Sequence, residues 1–310
     1  MRAGWLVACL LLLGCGEKNT ITPALSIEGE GGGTQQAETG KRDSSLSTLP
    51  EGEDRVRVSP ARRIVSLTPG LTELVYAVGA EQSLIATVEY ADHPEAARRI
   101  PRIGDAFRVD MEKLLAIKPD LVLAWTSGTP ATTVEQIRAL GLRVESIEVQ
   151  HLSEVSAALL HIGELTGRED TAQQVAQAFA QGVETLRTRY AQRPLLRVFV
   201  QVNRQPLYTV NGRHIISEVL DLCGGRNVFA DLNQLAPIVG VEAVLNTNPD
   251  VILSTEGSVH EVHQDWRMWS QVNAVKQNHL YVVSPDTTTR ATPRLLQGAQ
   301  AVCDALEQAR

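Results

Sequence analysis

The chain has 310 residues, with 36 acidic against 29 basic side chains and a formal net charge of −7. That balance excludes the basic footprint of a nucleic-acid surface. Its length is enough for two modest α/β lobes with cores of their own.

Residues 1–15, MRAGWLVACLLLLGC, carry one positive charge and then an apolar run. The run is too short to span a bilayer and has the form of an export signal. Its end, Leu12-Leu13-Gly14-Cys15, resembles the lipobox of bacterial lipoproteins, which implies cleavage before Cys15 and lipidation of its thiol. Residues 16–59 are polar and rich in Gly, Ser, Thr and Glu, too poor in apolar surface to fold. As a coil this segment reaches roughly 35–40 Å, which suits a tether. A lipid anchor is then the expected membrane contact, on the extracytoplasmic face. Cys9 leaves with the signal and Cys15 takes the lipid, so Cys223 and Cys303 remain. Two cysteines in an exported domain favour a disulfide between them.

Residues 60–150 read as a first lobe. RIVSL at 63–67 is a buried strand, and Thr68-Pro69 opens a helix with Leu71, Leu74, Val75 and Val78 on its buried stripe. A strand at 84–88 leads into an irregular loop, 89–109, that holds Tyr90, Asp92, His93 and Phe107. Loops of that length in compact domains usually carry function. Asp110 caps a short helix bearing Glu112, and Lys118-Pro119-Asp120 turns into a strand that ends at Trp125. Pro130 starts another helix, closed by Gly141, and 143–149 is the next strand. Strand and helix alternate throughout, so a parallel layer is expected.

Residues 151–193 read as linking helices. Ala172, Ala176, Phe179, Val183, Leu186 and Tyr190 recur at steps of four and three, one face of a helix over 169–193. Glu169 and Asp170 suit its positive end, and Arg187, Arg189 and Arg193 its negative end. Pro194 stops it. Roughly 24 residues make a rod of about 36 Å.

The second lobe, 194–310, opens with strands at 195–202 and 207–210 and a helix at 214–223 ended by Gly224-Gly225. An internal repeat follows. VDMEKLLAIKPDLVL from Val109 matches VGVEAVLNTNPDVIL from Val239, at a constant offset of 130 residues. Each copy places a glutamate, Glu112 or Glu242, in the first turn of a short helix ahead of Pro-Asp and a buried strand. Good capping by the helix dipole accounts for either glutamate alone. Their pairing suggests equivalent points on two like lobes. The expected fold is therefore α/β, two lobes with parallel sheets joined by one long backbone helix.

RRIVSLTPGLTELVYAVGA, LLAIKPDLVLAW, VLDLCGGRNVF, NPDVILS and DTTTRATPRLLQGAQAVCDAL resemble the periplasmic cobalamin-binding proteins of vitamin B12 importers. The resemblance covers residues 61–307, and these proteins are kin to siderophore and haem receptors. It implies a monomeric, non-catalytic receptor that carries a corrinoid in the cleft between its lobes to an ABC transporter permease dimer. It implies no cofactor beyond the transported ligand. Tyr90, Trp125 and Tyr208 fall on aromatic contact positions, and Asp286 and Arg290 on an acidic and basic pair that bonds the corrin or its side groups. A local ion pair at a helix start is the alternative for the last two. Glu112 and Glu242 match carboxylates that meet arginines on two permease subunits.

Two family tryptophans are Ala106, with Phe107 beside it, and Ala236 in this chain. Loss of two rings reshapes the cleft and keeps cobinamide, haem or a ferric siderophore open as ligands. Trp266 and Trp269 either compensate or pack in the core. His260 and His263 form the one close histidine pair, read as a solvated helix face or, remotely, as the metal site of a hydrolase.

Overall fold

A computed structural model describes residues 59–105 and 108–310. The first lobe runs β1 (Ile64–Ser66), α1 (Pro69–Ala77), β2 (Leu84–Ala86), α2 (Met111–Ala116), β3 (Leu121–Trp125), α3 (Ala131–Ala139) and β4 (Val144–Ile147). Two helices come next, α4 (Leu152–Thr166) and α5 (Glu169–Tyr190). The second lobe begins with β5 (Leu196–Gln201), α6 (Ile215–Leu222), β6 (Gly225–Asn227), α7 (Val241–Thr247) and β7 (Val251–Ser254). It closes with α8 (Val259–Trp266), α9 (Asn273–Lys276), β8 (Leu280–Val282), α10 (Pro285–Thr288) and α11 (Leu295–Gln308).

The strand orders are β2-β1-β3-β4 and β6-β5-β7-β8, the same order twice, with every pairing parallel. The repeated Pro-Asp has a physical task in this arrangement. Asp120, just before β3, accepts the backbone N–H groups of Arg62 and Arg63 at 2.8 and 3.0 Å. Asp250, just before β7, accepts the N–H of Arg197 at 2.9 Å. Each aspartate pins the entrance of the neighbouring strand, so the motif recurs because the sheet does.

Local signals act as the chemistry requires. Thr68 caps α1, its hydroxyl accepting the Leu71 N–H, and Pro69 takes the first helical position. Asp110 caps α2 by accepting the Lys113 N–H at 3.0 Å. In α5 the buried residues are the stripe from Ala172 to Tyr190. The helix has 22 residues and ends at Tyr190, so Arg193 lies in the turn before Pro194. Its partner α4 crosses it closely at Gly163, where a Cβ would stand 2.4 Å from that of Ala172. Only glycine permits that approach.

Two expectations change. Residues 207–210 form no strand; Tyr208 makes only isolated bridges, to Asn203 and Ile238. An apolar run this short has no continuous ladder beside it, and its amides go to loop carbonyls instead, as Thr209 N–H does to Pro237 O at 3.0 Å. Gly225–Asn227, where the sequence suggests only the end of a helix at Gly224-Gly225, pairs with β5 as the edge strand β6.

The main core is continuous between the lobes. Leu71 and Leu74 of α1, Leu159 of α4, Phe179 of α5, Leu220 of α6 and Leu306 of α11 belong to one buried cluster. A second cluster, with Val65, Val122 and Ile137, covers the other face of the first sheet, and a third, with Phe199, Ile252 and Trp266, that of the second. Both sheets are therefore buried on both faces, as parallel sheets require. Cys223, at the end of α6, is bonded to Cys303 of α11. Among the described residues no helix is long and apolar enough to cross a membrane. Cys15 and Phe107 lie outside the described residues.

Candidate functional site

The carboxyl ends of the parallel strands are where α/β sheets present ligand-binding groups. Trp125 ends β3, and Ser127, Glu148 and Gln150 follow β3 and β4. With Arg213, His214, Leu235 and Thr289 of the second lobe they line a cavity of about 210 Å³ between the lobes. The indole is held from two sides. Its Nε1–H donates to Ser127 Oγ at 3.1 Å, and its ring edge lies against Gly128, where a Cβ would sit 3.2 Å from Cδ1. The Ser127 N–H in turn donates to Glu148 Oε2 at 2.7 Å. An anchored aromatic wall with a few polar groups suits a broad organic ligand.

Tyr90 stands in the loop after β2, 79% exposed and with φ of 64°. A left-handed tyrosine is costly, and strain of that kind collects at functional sites. Tyr208 is half-buried in the loop after β5. Neither tyrosine lines the 210 Å³ cavity; among the described residues Trp125 alone of the expected aromatics does.

Arg290 and Asp286 are joined at 2.7 Å, the local ion pair one turn apart. Arg290 also reaches across to the first lobe, 2.9 Å from Glu73 and 3.7 Å from Asp92. Glu73, on α1, has a side chain only 3% exposed. It accepts Arg290 Nη1 at 2.9 Å, Arg294 Nη1 at 3.1 Å and Thr292 Oγ1 at 3.0 Å. Sequence reading missed this junction. The available signal was a carboxylate inside the apolar run of α1, which has to find a partner if buried.

The sequence suggests a helix that begins at His214; the residue is instead the cap of that helix, accepting the Ile216 N–H on Nδ1 at 3.2 Å. Burial pushes its pKa down to about 4. Glu112 and Glu242 are both exposed in the first turns of α2 and α7, at matching places in the two lobes. Trp266 is a core residue, 2% exposed, edge-on to Phe199 and bonded through Nε1 to Gln201 at 2.8 Å. It does not refill the cleft, and Trp269 packs against the same cluster. His260 bonds Gln264 within α8. Among the described residues no three side chains form a candidate metal cluster.

Two like lobes on a helical spine, with a cleft at their strand ends, define a solute-capturing protein of the binding-protein class. The chain belongs to the family described as periplasmic binding protein, whose sequence profile matches residues 64–287. It is 34% identical over 249 residues to a vitamin B12-binding protein of Vibrio cholerae, covering 80% of this chain and 90% of that one. A vitamin B12-binding protein of Yersinia pestis is 36% identical over 261 residues, 84% and 89% of the two chains. The crystal structure of the periplasmic vitamin B12-binding protein of Vibrio cholerae superposes with a TM-score of 0.76 at 35% identity, covering 81% of this chain and 98% of that one. The periplasmic haem-binding protein of the same species has a TM-score of 0.70 at 21% identity, covering 79% and 98%, a likeness of fold.

Proposed function

We propose that this protein captures cobalamin or a closely related corrinoid in the interlobe cleft, without chemistry, and delivers it to the permease of an ABC importer. The observation that carries the reading is the 34–36% identity to vitamin B12-binding proteins over most of both chains. The Trp125 wall at the strand ends supports it, since a corrin offers a broad apolar face edged by amides. Tyr90, Tyr208, Asp286 and Arg290 belong to the same proposal as further ligand contacts, as does Phe107. The ligand is bound one per monomer, and Cys15 carries the lipid that holds the chain to a membrane.

Trp125→Ala is expected to weaken cyanocobalamin binding by about 2–4 kcal/mol, as loss of a central aromatic anchor does. Calorimetric titration of the wild type and variant measures it. An unchanged affinity removes Trp125 from the site.

Glu112 and Glu242 are the proposed docking groups for the permease. A two-fold permease dimer requires like charges at like positions, which the repeated lobes supply. Exposed carboxylates steer and orient more than they add affinity. Replacing both by alanine is expected to leave corrinoid affinity within about twofold while transporter-stimulated ATP hydrolysis falls sharply. Normal stimulation by the double variant reduces the two residues to helix caps.

A further inference from the structure

We infer that His214 determines specificity in the cleft, as a neutral donor whose Nε2–H binds an oxygen acceptor on the rim of the ligand. The inference rests on the function proposed above for its ligand class, the amide carbonyls of a corrinoid.

The ring is fixed from behind. Its Nδ1 accepts the Ile216 N–H at 3.2 Å as the cap of α6, an eight-residue helix. A nitrogen that accepts carries no proton, so the proton of the neutral ring is on Nε2. That nitrogen has no hydrogen-bond partner among the described residues. It is not sealed in either, because the one buried side-chain nitrogen or oxygen left unpaired among them is Gln201 Nε2. His214 is one of the residues that line the cavity, and in the proposed arrangement its free N–H is directed to whatever fills that space.

The state of the ring suits a neutral acceptor. Burial holds the pKa at about 4, so His214 is uncharged near neutral pH. The charged neighbours on the cavity wall are Arg213, beside it in the chain, and Glu148 of the first lobe. An uncharged donor gains from a carbonyl oxygen without the desolvation a cation suffers. The same tautomer argues against metal ligation. An axial bond to cobalt or iron needs a lone pair on Nε2, available only if the proton moves to Nδ1 and the cap is broken. A corrin carries amide carbonyls around its rim, whereas a porphyrin offers such oxygens only on its propionates, so a donor fixed here favours the former.

Asparagine separates capping from binding. It is among the best N-caps, so His214→Asn keeps α6 closed while its short amide no longer reaches into the cavity. The full-length protein and His214→Asn are titrated with cyanocobalamin and with ferric haem, and their melting is followed in parallel. The expected result is an about tenfold weaker cyanocobalamin affinity at an unchanged melting temperature, the scale of one lost hydrogen bond. Equal affinity of the two proteins for the ligand that the wild type binds overturns the inference. Haem binding without cyanocobalamin binding defeats the corrinoid reading alone; a weaker His214→Asn affinity for haem then still supports the donor. Binding of neither ligand by the wild type overturns both. A visible-band shift typical of nitrogen ligation that His214→Asn abolishes also overturns the donor assignment. Should the variant fold poorly, ¹⁵N NMR of wild-type histidines decides. The Nε2–H tautomer of His214 is expected, with its resonance moved by cyanocobalamin; a bare Nε2, or no movement, contradicts the inference.

Discussion

Glu73→Ala is expected to destabilise the folded protein by about 3–5 kcal/mol, the cost of removing one partner from a buried ionic cluster. The carboxylate is 3% exposed, and Arg290 and Arg294, at 19% and 22%, both direct a guanidinium nitrogen at Oε1. Thr292 donates to the other oxygen at 3.0 Å. Removing the carboxylate leaves two half-buried cations facing each other with only Asp286 and Asp92 beside the first. In a domain of this size the loss corresponds to a melting point lower by roughly 6–20 °C. The same contact joins α1 of the first lobe to the segment before α11 of the second, so it also holds the two walls of the cleft together. Thermal melting of the variant measures the effect. A loss under about 1 kcal/mol contradicts the picture and places the arginines in water, as for an exposed pair.

Replacing Cys223 and Cys303 together by alanine is the second large effect. The bridge closes a loop of 80 residues, and both cysteines are fully buried. In the chain-entropy account such a loop constrains the unfolded state by about 4–5 kcal/mol. The bond ties the end of α6 to the middle of α11, two helices that cover the second sheet. Melting with and without reductant, beside the double variant, measures it. The reduced wild type and the variant are expected to melt together, roughly 8–20 °C below the oxidised protein. Free thiols in the denatured, unreduced protein, or a melting point that ignores reductant, contradict the bridge.

Local structure was legible in the sequence where one interaction decided it. The α5 stripe follows from helical period, the α1 and α2 starts from Thr68 and Asp110, and the likeness of the lobes from the 130-residue repeat. What failed depends on neighbours far along the chain. Gly225–Asn227 is a strand because β5 lies beside it, not because its own residues favour one. The run 207–210 looks like a strand and lacks a ladder to join. At the site, Trp125 was visible as an aromatic closing a buried strand. Glu73 was not, because its partner Arg290 stands 217 residues away and helical spacing marks burial without naming what a buried charge will meet. His214 escaped because a cap and a first helical residue look alike until the backbone is seen.

Capture of a corrinoid is the central claim, and calorimetric titration of the purified protein with cyanocobalamin, beside ferric haem and a ferric siderophore, tests it most directly. The account predicts saturation at one cyanocobalamin per chain, with the other two ligands weaker. Saturation by haem or the siderophore, with no heat from cyanocobalamin, contradicts it.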